Sequence, residues 1–223
     1  MGLLAVASVL AVTGVAVTSV DTTVQPHRYF SDANPILASA LICLAGTIVL
    51  WRLQRVFGLC VVSAQSNRKL LVAVGAAVPF MASVTLLDRM LGFPSDINVG
   101  LPSALVFYPA MGFLAQLSLH VVPFALLLWL LTSRFRSLPA GVRFWSAALP
   151  AALPEAIFQM NASIDHPSGL DVLAASVGVQ LVLFGVTELY LYRRYDYLSM
   201  FVFRLTYYGY WHIVWGSVRV QLP

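Results

Sequence analysis

Five ionisable residues stand inside long apolar stretches of this chain: His120, Glu155, Glu188, Arg204 and His212. An ionisable group at bilayer depth costs on the order of 2.5–3.5 kcal/mol on insertion scales, so such groups face a protein interior and take a partner there. Their types suit acid–base and electrostatic chemistry. A carboxylate shielded from water can move protons, and a positioned imidazole can take or stabilise developing charge. Glu155 is the sharpest candidate. Pro150 and Pro154 precede it and loosen the helix, and Gln159 follows one turn later on the same face. Arg204, Tyr208, His212 and Trp215 recur at spacings of four, four and three, which puts them on one helical face. Gly209 and Gly216 in the same stretch offer a neighbouring helix close approach.

Depth follows from counting along each run at about 1.5 Å per residue. His120 and Glu155 fall near the middle, His212 toward the outer half, and Glu188 and Arg204 share an inner level. The expected arrangement has Glu155, His120 and His212 near one layer, with Glu188 and Arg204 paired below. Plainer readings stand beside this one. An Arg–Glu pair in a bundle is first a structural clamp, and a lone intramembrane histidine serves packing as readily as ligation. Tyr190, Tyr192, Tyr195 and Tyr197 suit an interfacial belt at the inner face.

The elements that must hold these groups are read from hydropathy. Of 223 residues, 60% are hydrophobic and only 10% charged, with a mean hydropathy of +0.84. A water-facing surface needs about 25% charged residues, so the partner of this surface is the lipid bilayer. Apolar runs cover 2–20, 35–51, 70–87, 101–132, 144–163, 172–192 and 198–216. Most are near the roughly 20 residues that cross about 30 Å of hydrocarbon. Backbone amides in hydrocarbon need internal partners, and these runs are too long and continuous for barrel strands. The expectation is an all-α fold, a polytopic transmembrane helical bundle of about seven spans in one integral membrane domain, 1–223. The fourth run exceeds a perpendicular crossing; Pro109 and Pro123 can kink it, or its start can be re-entrant. Residues 2–20 lack a basic start and meet Asp21 directly, which reads as a retained first span rather than a signal peptide.

Charge sorts the loops. Arg52, Arg55, Arg68 and Lys69 follow the second run, Arg134, Arg136 and Arg143 the fourth, and Arg193 and Arg194 the sixth. The alternate loops hold Asp21, Asp32, Asp88, Asp96, Asp165 and Asp171, with only Arg28 and Arg89 as basic members. Positive loops stay cytoplasmic, so seven spans place the N-terminus inside and the C-terminus outside. Asp196 in an inner loop and Arg219 in the outer tail break the pattern. Residues 56–66 are semi-apolar and suit the inner interface. The net charge of +4 is scattered between apolar runs, so no nucleic-acid partner is expected. Cys43 and Cys60 have no metal-ligand spacing and imply no disulfide framework.

Two stretches carry a family likeness. Pro154-Glu155-Ala156-Ile157-Phe158-Gln159 resembles a Glu-Glu-x-x-x-Arg motif, with Glu155 at the second Glu. Tyr208-Gly209-Tyr210-Trp211-His212 resembles a Phe-x-x-x-His motif, with Tyr208 in place of Phe. Together they resemble the CAAX-protease and bacteriocin-processing family of intramembrane proteases. The resemblance implies that Glu155 activates a water molecule and that His212 assists or stabilises the oxyanion. Pro154 stands where the family has its first Glu, Gln159 where it has Arg, and no further His follows His212. Glu188 and Arg193 form a rival first motif, in which Leu189 takes the place of the second Glu.

Three classes of function follow. The first is an intramembrane hydrolase, a peptidase acting on a membrane-protein substrate through Glu155 and His212 with His120, Glu188 and Arg204 in support. The second is a non-catalytic subunit or scaffold that holds partner proteins. The third is a proton-coupled carrier with Glu155 and the histidines as relay groups; the chain shows no internal repeat of the kind such carriers often have. His120 and His212 on facing spans also have the residue type that ligates haem. Composition leaves the metal and cofactor content open.

Overall fold

The computed structural model describes residues 2–19, 27–64, 68–93, 98–163 and 170–219. The loop residues Asp21, Asp96 and Asp165 lie outside them. In chain order the helices are α1 (Gly2–Thr18), α2 (His27–Phe30), α3 (Pro35–Phe57), α4 (Arg68–Leu91), α5 (Ala104–Ala115), a π-helical segment (Gln116–Val121), α6 (Val122–Arg134), α7 (Ala140–Ala151), α8 (Leu153–Ser163), α9 (Leu170–Arg194), α10 (Tyr197–Tyr208), a second π-helical segment (Gly209–Trp215) and α11 (Gly216–Arg219). No strand forms among the described residues. Among the described residues, four helices are long and apolar enough to cross a membrane: Pro35–Phe57, Arg68–Met90, Ala104–Arg134 and Ala174–Arg194. Gly2–Thr18 is apolar and shorter.

The helix ends follow local chemistry. Asn34 accepts from the backbone N–H groups of Ile36 and Leu37 at 3.0 and 3.1 Å, and Pro35, which has no N–H to satisfy, takes the first helical position of α3. Gly58 closes α3 at φ 69°, and its N–H donates to the Gln54 carbonyl. Asp196 caps α10, accepting from the Ser199 N–H at 2.8 Å and its hydroxyl at 2.7 Å.

Two expected spans are interrupted, and prolines account for one break. The run 144–163 divides into α7 and α8 at Ala152, two residues ahead of Pro154. Pro154 has no N–H for the Pro150 carbonyl, and its ring crowds that carbonyl, so a continuous helix fails there. Ala152 N–H is shared between the Ala148 and Leu149 carbonyls at 3.1 and 3.3 Å. Pro154 then sits in the first turn of α8, where no donor is needed. The run 198–216 widens into the second π segment at Gly209. The run 101–132 is a single 31-residue rod, Ala104–Arg134. It accommodates Pro123 through the π segment directly upstream, where the Val122 N–H reaches back to the Leu117 carbonyl. At roughly 45 Å that rod exceeds the hydrocarbon thickness.

Apolar side chains fill the space between helices and also cover the outside. One cluster joins α1, α3, the long rod and α7; a second, rich in aromatics, joins α4, α9 and α10. Leu10, Leu71 and Met90 are 66%, 73% and 72% exposed, a periphery suited to lipid rather than water. Of the tyrosines expected in an interfacial belt, Tyr192 and Tyr197 are instead buried in the core, and Tyr190 is about half exposed. The Tyr192 and Tyr197 rings pack against each other, and Tyr197 stacks on Phe201, a better use of aromatic area than a polar rim. Residues 58–63 lie against the start of α10, where the Cys60 and Val61 carbonyls accept from the Tyr197 and Leu198 N–H groups.

Candidate active site

Arg204 is the hub of a buried polar cluster. α10 carries it into the core with no exposure to solvent. Its Nε donates to Glu188 Oε1 at 2.7 Å and its NH2 to Glu188 Oε2 at 2.9 Å. NH2 also reaches Glu155 Oε2 at 2.6 Å, while NH1 reaches Glu155 Oε1 at 2.8 Å and the Tyr208 hydroxyl at 3.0 Å. A guanidinium has five N–H donors, so these contacts use all of them. Two carboxylates are thus gripped in fork geometry by one cation. The rings of Phe184 and Tyr208 lie 5.3 and 5.4 Å from the guanidinium carbon.

His120 completes the cluster. Its Nε2 lies 2.6 Å from Glu155 Oε2 and 3.6 Å from Glu188 Oε2. The π segment that carries His120 also carries Gln116, whose amide donates to Glu188 Oε1 at 3.0 Å. Gly185 makes room for the imidazole: a methyl group there would stand 2.7 Å from His120 Cε1. Ligand atoms of His120, Glu155 and Glu188 lie within 4.8 Å of one another, a spacing that could hold a metal ion. The Arg204 guanidinium already supplies the cation between those carboxylates, so the donor set fits an ion pair better than a metal.

The expected layering is corrected in two respects. Glu155 and His120 meet, but they join Glu188 and Arg204 in one cluster instead of lying a layer above them. His212 stands apart. Its Nδ1 lies 2.8 Å from Asn98 Oδ1, and its ring stacks on Tyr108 with centroids 4.1 Å apart. Counting residues along each helix does not fix which side chains meet; rotation about the axis and local breaks in the helices decide that. The face Arg204, Tyr208, His212, Trp215 divides accordingly: Arg204 and Tyr208 serve the cluster, and Trp215 donates to Asp88 at 2.7 Å. The wider π turn from Gly209 to Trp215 slips the 3.6-residue register along that face. Gly209 meets no neighbour, and Gly216 faces the Asn98 side chain rather than a helix.

Glu155 belongs to a second feature. A cavity of about 220 Å³, walled mostly by aromatic and aliphatic side chains, is lined by Glu155, Gln159, Gln180, Tyr208 and His212 among others. His120, Glu188 and Arg204 do not line it. Glu155, in the first turn of α8, therefore joins the buried clamp to open space, and His212 borders the same space. Both lone-pair directions of each Glu155 oxygen are engaged, by Arg204, His120 and, at 3.5 Å, the Tyr208 hydroxyl. With His212 Nδ1–H donating to Asn98 Oδ1, the other ring nitrogen carries the lone pair. His120 Nε2 and His212 Nδ1 each meet a protein partner, and the two imidazoles do not share a space: His212 borders the cavity and His120 does not, so they do not face each other as a haem-ligating pair would.

Gln116, Asn98 and Tyr108 are site residues that sequence reading passes over. Gln116 precedes His120 by one turn, a signal open to reading; Asn98 lies in a loop and gives none. The two charges that break the loop pattern prove to be paired. Asp196 contacts Lys69 and the Ser63 N–H, the latter at 2.8 Å, and Arg219 lies 3.0 Å from Asp88. Against known protein families, curated proteins and solved structures, the chain has no match.

Proposed function

We propose that the chain is a seven-span integral membrane hydrolase of the peptidase class, with its N-terminus cytoplasmic and its C-terminus external. One observation carries the reading: Glu155, anchored by Arg204 and His120, also faces a largely apolar cavity that His212 borders. The roles follow from the hydrogen bonds. Glu155 is saturated with donors, so it acts as a fixed negative charge at the cavity wall, whose field steadies an imidazolium formed there. His212, held by Asn98, offers its Nε2 lone pair to accept the proton of that water as it attacks a substrate carbonyl. The same imidazolium returns the proton to the leaving group. Low dielectric around the cavity strengthens each of these interactions. The resemblance to CAAX-type proteases supports the reaction class, although it would give the base role to Glu155.

Cleavage of membrane-anchored peptides by the purified chain in vesicles, followed by mass spectrometry, tests the reading. The wild type should cleave and His212→Phe should not, at equal thermal stability. Equal cleavage by both, or none by the wild type, overturns it. Full burial of Arg204, Glu188 and His120 favours a second reading, a non-catalytic subunit in which the clamp ties interrupted helices together. Stable co-purification with one partner protein, without cleavage, would support that alternative.

A further inference from the structure

A second concavity lies between α4 and α9, lined by Pro79, Ser83 and Leu87 on one side and Ser176, Val179 and Leu183 on the other. Gln180 lines this groove and the inner cavity alike, so its side chain forms a shared wall. Around the groove the surface is apolar: Val78, Val179 and Leu183 are 53%, 64% and 56% exposed. Gln180 itself is only 8% exposed. Its amide nitrogen reaches the Phe80 carbonyl and the Tyr207 hydroxyl at 3.3 Å each, and its oxygen accepts from Ser83 at 3.3 Å. All three contacts lie at the long, weak end of the hydrogen-bond range. A glutamine has three rotatable bonds, so it can swing aside where an entering polar group replaces these weak partners. The next residue along α10 from its Tyr207 partner is Tyr208, whose hydroxyl touches both Arg204 and Glu155.

We infer that the α4–α9 groove is a lateral portal from the bilayer to the cavity, gated by Gln180, and that it admits the apolar chain of a membrane-dissolved amphiphile. The occupant is set by its surroundings. The outer lip is lipid-facing, the groove walls are mostly aliphatic with two hydroxyls, and the cavity behind them is aromatic. A chain entering this way brings its polar head last, toward Gln180 and Ser83, or leads with a polar group that Tyr207 and Tyr208 receive. Gln180 is thereby a positioning and specificity residue rather than a catalytic one. The inference rests on the cavity being the substrate site. Its test scores access rather than turnover, so the two readings fail separately.

The test uses the purified full chain in phosphatidylcholine vesicles doped with a long-chain fatty acid carrying a terminal diazirine. After irradiation, mass spectrometry maps the adducts. Wild type should carry adducts on the cavity residues Phe184 and Tyr207 as well as on groove residues. Gln180→Trp should lose the cavity adducts and keep those of the groove, whereas Gln180→Ala should retain or increase both. Val179→Trp, at the exposed lip and away from the core, should show the same loss of cavity adducts, which covers the case of a poorly folded Gln180→Trp. Undiminished cavity labelling in Val179→Trp, or a wild type labelled only on its outer surface, overturns the portal.

Discussion

Arg204 decides how much of the interior can be polar. One guanidinium with five donors satisfies two carboxylates and a phenol, so charges that would be costly singly are held together. Replacing Arg204 with Met leaves Glu155 and Glu188 facing each other without a cation. That change should destabilise the protein by about 3–5 kcal/mol, measured by thermal unfolding in detergent micelles. Arg204→Lys should recover only part of the loss, because a point charge cannot grip two carboxylates in fork geometry. At this scale the sequence was largely readable. Intramembrane charge is scarce and must be partnered, so His120, Glu155, Glu188, Arg204 and His212 single themselves out by type alone. Which of them meet was not readable, because the hydrogen bond of His212 goes to Asn98, a loop residue far away in sequence.

Helices set the positions these side chains reach, and the informative ones are those that depart from regular geometry. His120 and His212 ride on π segments and Glu155 follows the break at Ala152. Prolines signalled the Ala152 break and one π segment; the segment at Gly209 had no comparable mark. Close packing between helices is equally exacting. A methyl group at Gly185 would meet His120 at 2.7 Å, so Gly185→Ala should push the imidazole from Glu155. A displacement near 1 Å corresponds to roughly a hundredfold loss of turnover, checked against the unfolding temperature of the same variant. At the end of the bundle, Asp196 caps α10 and binds Lys69. Burial pushes its carboxyl up, but Lys69 and the N–H groups of Ser63 and Ser199 outweigh this and hold it below the usual carboxylate range. Its stabilisation is therefore present above the unfolded pKa of about 3.9 and is lost as pH falls through the lower folded value. Unfolding temperatures of wild type and Asp196→Asn should differ at pH 7, and the difference should begin to shrink only as pH falls below about 4, vanishing below the folded value.

Among the described residues, an apolar exterior surrounds a largely apolar interior that holds one buried polar cluster. Four helices meet the length and hydropathy of a span, and the remaining apolar rods complete the seven-span reading proposed above. The loop charges that oppose that topology, Asp196 and Arg219, are neutralised by Lys69 and Asp88, which removes them from the balance of free positive charge. Fold class was legible because hydropathy is a property of whole runs. Arrangement within the bundle was not, because it depends on rotation and on local breaks that average hydropathy does not record. Accessibility of single cysteines placed near each end should show residue 2 protected and residue 217 labelled by an impermeant thiol reagent in sealed cells.

On the proposed reading the cluster has two sides: a cavity-facing side that serves chemistry and a buried side that holds structure. Glu155→Gln and Glu188→Gln are the same chemical change on the same guanidinium, and only Glu155 lines the cavity. Turnover of both variants, measured beside their unfolding temperatures, separates the two sides. Glu155→Gln should lower turnover by about a hundredfold or more. Glu188→Gln should act mainly on stability, by about 1–3 kcal/mol. Equal losses of turnover in the two variants, or unchanged turnover in Glu155→Gln, would contradict it.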